Sequence, residues 1–123
     1  MTPKIRLHIA LIIGLLAFST AVHAADKPLP LQQWELRLED VRLDKALARW
    51  AKEAGYSFRW DADRYLLIGA ASTFEGTLPE AVQQVLETPG IAYSEYPLEA
   101  CIYSNSPPLL RITRLGDQVR ECH

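Results

Sequence analysis

The chain has 123 residues, 49% of them apolar, with 13 Lys and Arg against 15 Asp and Glu for a formal charge of −2. Length and composition fit about one globular domain. The charge balance excludes nucleic-acid binding by electrostatics, and no charge block or low-complexity tract marks a disordered tail.

Residues 1–24 read as an export signal. Lys4 and Arg6 give a positive start, Ile9 to Phe18 form an apolar run broken only by Gly14, and Val22-His23-Ala24 supplies small residues at the first and third positions. That pattern predicts cleavage between Ala24 and Ala25. An apolar core of about ten residues is short for a membrane span, which needs roughly 20. No Cys follows the run, so no lipid anchor is expected. Removing the signal takes away two positive charges, from −2 to −4.

Residues 25–33, with Pro28 and Pro30, read as an extended leader. Residues 34–123 then form the domain. Trp34, Leu36 and Leu38 alternate with Glu35, Arg37 and Glu39, as in a half-buried strand. A helix is expected from about Asp40, because Leu43, Leu47, Trp50, Ala51 and Ala54 make one apolar stripe. Gly55 suits its C-terminal, left-handed position. Tyr56, Phe58 and Trp60 predict a second strand and Asp61 to Arg64 a turn. Short strands are expected at Tyr65 to Ile68 and Ala71 to Phe74. Thr77-Leu78-Pro79-Glu80 is a capping box. It opens a second helix with Leu78, Val82, Val85 and Leu86 inward, and Thr88-Pro89-Gly90 stops that helix. Ile91 to Tyr96, Cys101 to Ser104, Leu109 to Arg114 and Gln118 to Cys122 are strand candidates, the last after a Gly116-Asp117 turn. The order gives an α+β fold of two strand–helix–strand halves, with two helices packed against small mixed sheets.

Catalytic patterns are scarce. The only histidine after the signal is His123, so a triad or dyad lacks its imidazole. Asp61 and Asp63 read as turn residues rather than an acid–base pair. Glu75-Gly76 is a poor phosphate cradle, and no nucleotide-binding glycine pattern occurs. No catalytic residue, cofactor or metal site is expected. Trp34, Trp50 and Trp60 read as core, while Tyr93, Tyr96 and Tyr103 are candidates for a partner surface.

Cys101 and Cys122 are the only cysteines. An even count in an exported protein points to a disulfide, the alternatives being two free thiols or an under-ligated metal site. The bond closes a loop of about 22 residues, a stabilisation of roughly 3 kcal/mol in the chain-entropy model. A simple three-strand meander would hold the two residues two strand spacings apart, roughly 9–10 Å. Bonded Cα atoms lie within about 7 Å. The tail is therefore expected to leave the meander or shift its register.

Several segments in order resemble the toxin co-regulated pilus biosynthesis protein Q (TcpQ) family, which includes PilL-like pilus and conjugation proteins. They are the strand at Trp34; Leu43-x3-Leu47-x2-Trp50-Ala51 running into Ala54-Gly55-Tyr56; Phe58-x-Trp60-Asp61; Phe74-Glu75-Gly76-Thr77-Leu78-x-Glu80-Ala81-Val82; and Tyr103-Ser104-Asn105 before Leu110-x-Ile112. The resemblance spans roughly Trp34 to Arg114. It implies a fold like the small N-terminal domain of secretins. It also implies a periplasmic, non-enzymatic accessory of a type IV pilus, conjugation or secretion system. The implied partner is a secretin-like complex, through which the protein is peripheral to the outer membrane. Family members have no known catalytic residues to carry over. The competing readings are a signalling or inhibitor module of similar topology, and, behind it, a small periplasmic enzyme. Strand edges offer unpaired backbone groups to partners. The edge of Leu109 to Arg114, or of the strand next to it, is the expected docking site, with Tyr103, Arg111 and Thr113 as contact residues. The polar face of the first helix, with Arg42, Lys45, Arg49 and Lys52, is the fallback.

Overall fold

A computed structural model of the chain describes residues 31–118. The predicted signal, its Ala24–Ala25 cleavage site, Cys122 and the last strand candidate beyond Gln118 lie outside the described residues.

The first strand, β1, is Gln33–Leu36, with Trp34 and Leu36 facing inward. The alternation in the sequence continues to Leu38, but the chain does not. A 3-10 turn at Leu38–Asp40 ends the strand and turns Leu38 out to solvent. The helix α1, Leu43–Ala54, buries Leu43, Ala46, Leu47, Trp50 and Ala51 along its stripe. It starts at Leu43 rather than near Asp40. Gly55 closes it at φ 79°. The Gly55 amide donates to Lys52 O and the Tyr56 amide to Ala51 O, the paired bonds of a Schellman cap.

Strand β2, Ser57–Trp60, follows at once. Residues 65–68 form only an isolated bridge, Leu67 with Arg42, instead of a strand. Strand β3 is Ser72–Glu75 and helix α2 is Leu78–Leu86. The capping box is complete, with the Glu80 amide donating to Thr77 Oγ1 at 3.3 Å and the Thr77 amide to Glu80 Oε1 at 3.0 Å. Pro89 does more than stop α2. Its fixed φ suits a first helical turn, and Pro89–Ala92 forms a short helix, α3. Ile91 to Tyr96 is therefore not a strand. Strands β4, Leu98–Tyr103, and β5, Leu109–Arg114, complete the fold.

Two sheets result. β1 and β3 pair antiparallel, Trp34 beside Phe74. The second sheet has the order β2-β5-β4, with β2 parallel and β4 antiparallel to β5. Each half of the chain thus runs from the small sheet, through a helix, to the larger sheet. The last strand enters between the two halves. Both helices touch both sheets, α1 through β1 and β2, α2 through β3 and β4.

Trp50 anchors α1 on the small sheet. It is fully buried, its indole N–H donates to Glu35 O at 2.9 Å, and its ring meets Trp34 at 5.7 Å and Phe74 at 6.2 Å. Trp34 in turn donates to Gly76 O. Arg49 fastens the same helix to the preceding turn. It forks onto the Asp40 carboxylate, with contacts of 2.6 and 3.3 Å, and also donates to Glu35 O. This clamp surrounds a strained residue. Val41 sits at φ 66°, ψ −54°, with the Arg42 amide donating back to Asp40 O at 2.7 Å. That is a γ-turn with positive φ, costly for a β-branched side chain at about 1–3 kcal/mol.

Leu47 has no exposed surface at the centre of this core. Leu47→Ala is expected to lower unfolding free energy by about 2–5 kcal/mol, read by chemical denaturation. A loss below about 0.5 kcal/mol would mean that the stripe does not pack as described.

Candidate interaction surface

The outward face of the larger sheet carries most of the residues singled out from the sequence. Tyr103 and Cys101 lie on β4, Arg111 and Thr113 on β5, and Cys101 is directly opposite Arg111. Alternation along each strand puts these four on the face away from the helices. Leu110 and Ile112 on β5 occupy the core face.

The structure rules out the first of the two expected docking edges, Leu109 to Arg114, and leaves the strands next to it as the edges. β5 is the central strand, bonded on both sides, so it has no open edge to offer. Its two apolar core residues and its polar outward face look the same in a central strand as in an edge strand. Thr113 is 1% exposed, and Arg111 is held by Asp61 rather than presented to a partner. The fallback surface changes too. Arg42 precedes α1, pairs with Asp44 at 2.6 Å and lies over the Tyr65 ring at 3.8 Å. Arg49 is occupied by Asp40 and Glu35.

Charge on the outward face is organised by Asp61. Its Oδ2 accepts from Arg111 Nε at 2.7 Å and pairs with an Arg59 guanidinium nitrogen at 3.1 Å. The Arg111 hydrogen bond, with help from Arg59, holds the Asp61 carboxyl below the usual carboxylate range. Asp40 is lowered in the same way, first by its hydrogen bond from Arg49, and Asp44 by Arg42. Glu80 is lowered by the backbone N–H of Thr77. These depressed values favour the fold above the ordinary carboxylate pKa. That contribution is lost as pH falls through the lowered values.

A clasp closes the far side of this face. After the Gly116 turn, the Gln118 side chain donates to Glu99 O at 3.2 Å and to Arg111 O at 3.1 Å, and accepts from Tyr103 Oη at 2.8 Å. At Gln118 the chain therefore lies over β4 and β5. Tyr103 serves this clasp.

A second group joins Trp60 and Tyr96, which the sequence marks separately, to Arg64, Tyr65 and Arg114, which it does not mark. Trp60 and Tyr65 stack at 6.4 Å, and the Trp60 indole donates to Arg64 O. Arg64 and Arg114 both lie about 5 Å from the Tyr96 ring centre, whose hydroxyl accepts from the Asp63 amide. The sequence signal for its first part was aromatic and Arg residues recurring between positions 56 and 65; nothing local links them to Tyr96 or Arg114. An apolar groove of about 490 Å³ lies elsewhere, lined by residues including Leu43, Leu66, Ile68, Phe74 and Ile91. Among the described residues, no three His, Cys, Asp or Glu gather as metal ligands, and no helix is long and apolar enough to cross a membrane.

No curated protein and no solved structure matches the chain. The family model for toxin co-regulated pilus biosynthesis protein Q matches residues 32–115, from just before β1 to just past β5. The match covers more than half of the chain and contains every described strand and helix, so the chain belongs to the TcpQ family of pilus biosynthesis proteins.

Proposed function

We propose that this chain is a non-catalytic periplasmic accessory protein of a type IV pilus, conjugation or secretion apparatus. Its role in this reading is to bind and stabilise a secretin-like outer-membrane complex. The observation that carries the reading is the family match across the folded region. Export through the predicted signal, cleaved before Ala25, is part of it.

Two features support a binding module over an enzyme. Each described carboxylate with a shifted pKa already serves the fold, in an Arg pair or a helix cap. Exposed Tyr65 stacks on the half-buried Trp60 beneath Arg42, and the Arg64 guanidinium lies by the buried Tyr96 ring, a grouping of the residue types enriched at binding hot spots. Deleting the gene is expected to reduce the heat-resistant secretin multimer in envelope fractions, with restoration by the plasmid-borne chain. Unchanged multimer and unchanged pilus or conjugation output would contradict the reading.

The proposal includes a Cys101–Cys122 disulfide. Supporting it, Cys101 is fully buried on the outward sheet face and is not a free thiol. Gln118 brings the chain over that face four residues before Cys122. Unreduced, denatured protein should show no free thiol in a thiol assay; two free thiols would refute the bond.

A further inference from the structure

Among the described residues, strand β2 is bonded on one side only. β5 occupies one edge in parallel register, Ser57 beside Leu109 and Trp60 beside Ile112. The amides of Ser57 and Asp61 donate into that neighbour, to Pro108 O and Ile112 O, both at 2.8 Å. Backbone groups alternate sides along a strand. The N–H and C=O of Phe58 and Trp60 therefore face the other edge, where no hydrogen bond reaches them.

A second copy of the chain is a poor occupant. Two-fold antiparallel pairing through these groups sets Phe58 opposite Trp60 in the hydrogen-bonded positions. Arg59 then falls opposite Arg59 in the position between them. That non-hydrogen-bonded site holds the closest side chains, with Cα atoms about 4.5 Å apart. Like charges directly opposite are destabilising. Local acid does not relieve the clash. Asp61 is the one carboxylate shared by Arg59 and Arg111, so two guanidiniums meet one negative charge. The Arg59 side chain is 61% exposed and points to the open face.

The same geometry specifies a better occupant. We propose that β2 docks an extended strand of a partner protein that carries Asp or Glu opposite Arg59 and apolar residues on either side of it. Those flanking residues share a face with Phe58 and Trp60. Tyr65, stacked on Trp60 and 60% exposed, widens that apolar platform. The acid supplies the charge that the Arg59–Asp61–Arg111 row lacks. Main-chain bonds to Phe58 and Trp60 give affinity, and the alternation of acid and apolar residues gives specificity. This inference rests on the accessory-protein reading only for placing the partner in the pilus or secretion apparatus.

The test uses the isotope-labelled mature protein and two synthetic eight-residue peptides, one alternating Glu and Val, the other Lys and Val. The Glu peptide is expected to shift and protect the amides of Phe58 and Trp60, with a preference of about fivefold over the Lys peptide. Arg59→Glu should reverse the preference, and Arg59→Lys should keep it. Arg59→Gln, which adds no acid beside Asp61, should bind the two peptides equally. Equal binding of both peptides to the unaltered protein, shifts confined to other residues, or a preference that survives Arg59→Gln would overturn the proposal. A normal peptide response with an unaffected secretin multimer in the deletion strain fails the accessory reading and leaves the edge standing. A lost multimer with no response at β2 does the reverse.

Discussion

Strand β5 enters the slot between β2 and β4, and the positions of the other elements around the larger sheet follow from that insertion. β2 ends the first half of the chain and β4 begins the exit from the second. Without β5 they would have no common neighbour. The insertion needs one parallel and one antiparallel ladder on the same strand, and it buries Leu110 and Ile112 completely against the helices. It also decides which edges are left open. The backbone groups of β5 are used on both sides, so the edges of this sheet belong to β2 and β4.

The small sheet is held by different means. Its two strands are only four residues each, and two such strands are marginal alone. Trp50 lies against both, across the Trp34–Phe74 pair, and ties its indole N–H to β1. Arg49, one residue earlier, grips Asp40 and so fixes the turn that carries the strained Val41. The bridge from Arg42 to Leu67 and the bond from the Leu43 amide to Leu66 O pin the other side of that turn. A positive φ at a β-branched residue persists because neighbouring contacts on both sides over-determine it.

Local features of the sequence were the readable ones. The stripe of α1, the Gly55 cap, the Thr77–Glu80 box and the limits of β5 follow from spacing within a few residues. The expectation that the tail leaves a simple meander came from disulfide geometry, and the tail strand it concerns lies beyond Gln118, outside the described residues. The misreadings have physical causes. Leu38 keeps the alternation of β1, yet the 3-10 turn it opens is set by the distant Arg49–Asp40 clamp. Ile91 to Tyr96 is apolar enough for a strand, but Pro89 fits the first turn of a helix. The central place of β5 depends on pairing Arg59 with Arg111, a contact between residues far apart in the chain. Local pattern carries no record of such a pairing, which is why Tyr103, Arg111 and Thr113 looked like an edge. The stack of Arg42, Tyr65 and Trp60 was invisible for the same reason.

The central claim is that β5 saturates the middle of the larger sheet and leaves β2 with one bonded and one open edge. Amide hydrogen exchange on the free, folded protein measures this residue by residue. The account predicts slow exchange at Ser57, Asp61, Leu110 and Ile112 and fast exchange at Phe58 and Trp60. Protection of Phe58 and Trp60 equal to that of Ser57 and Asp61, or rapid exchange along β5, would contradict it.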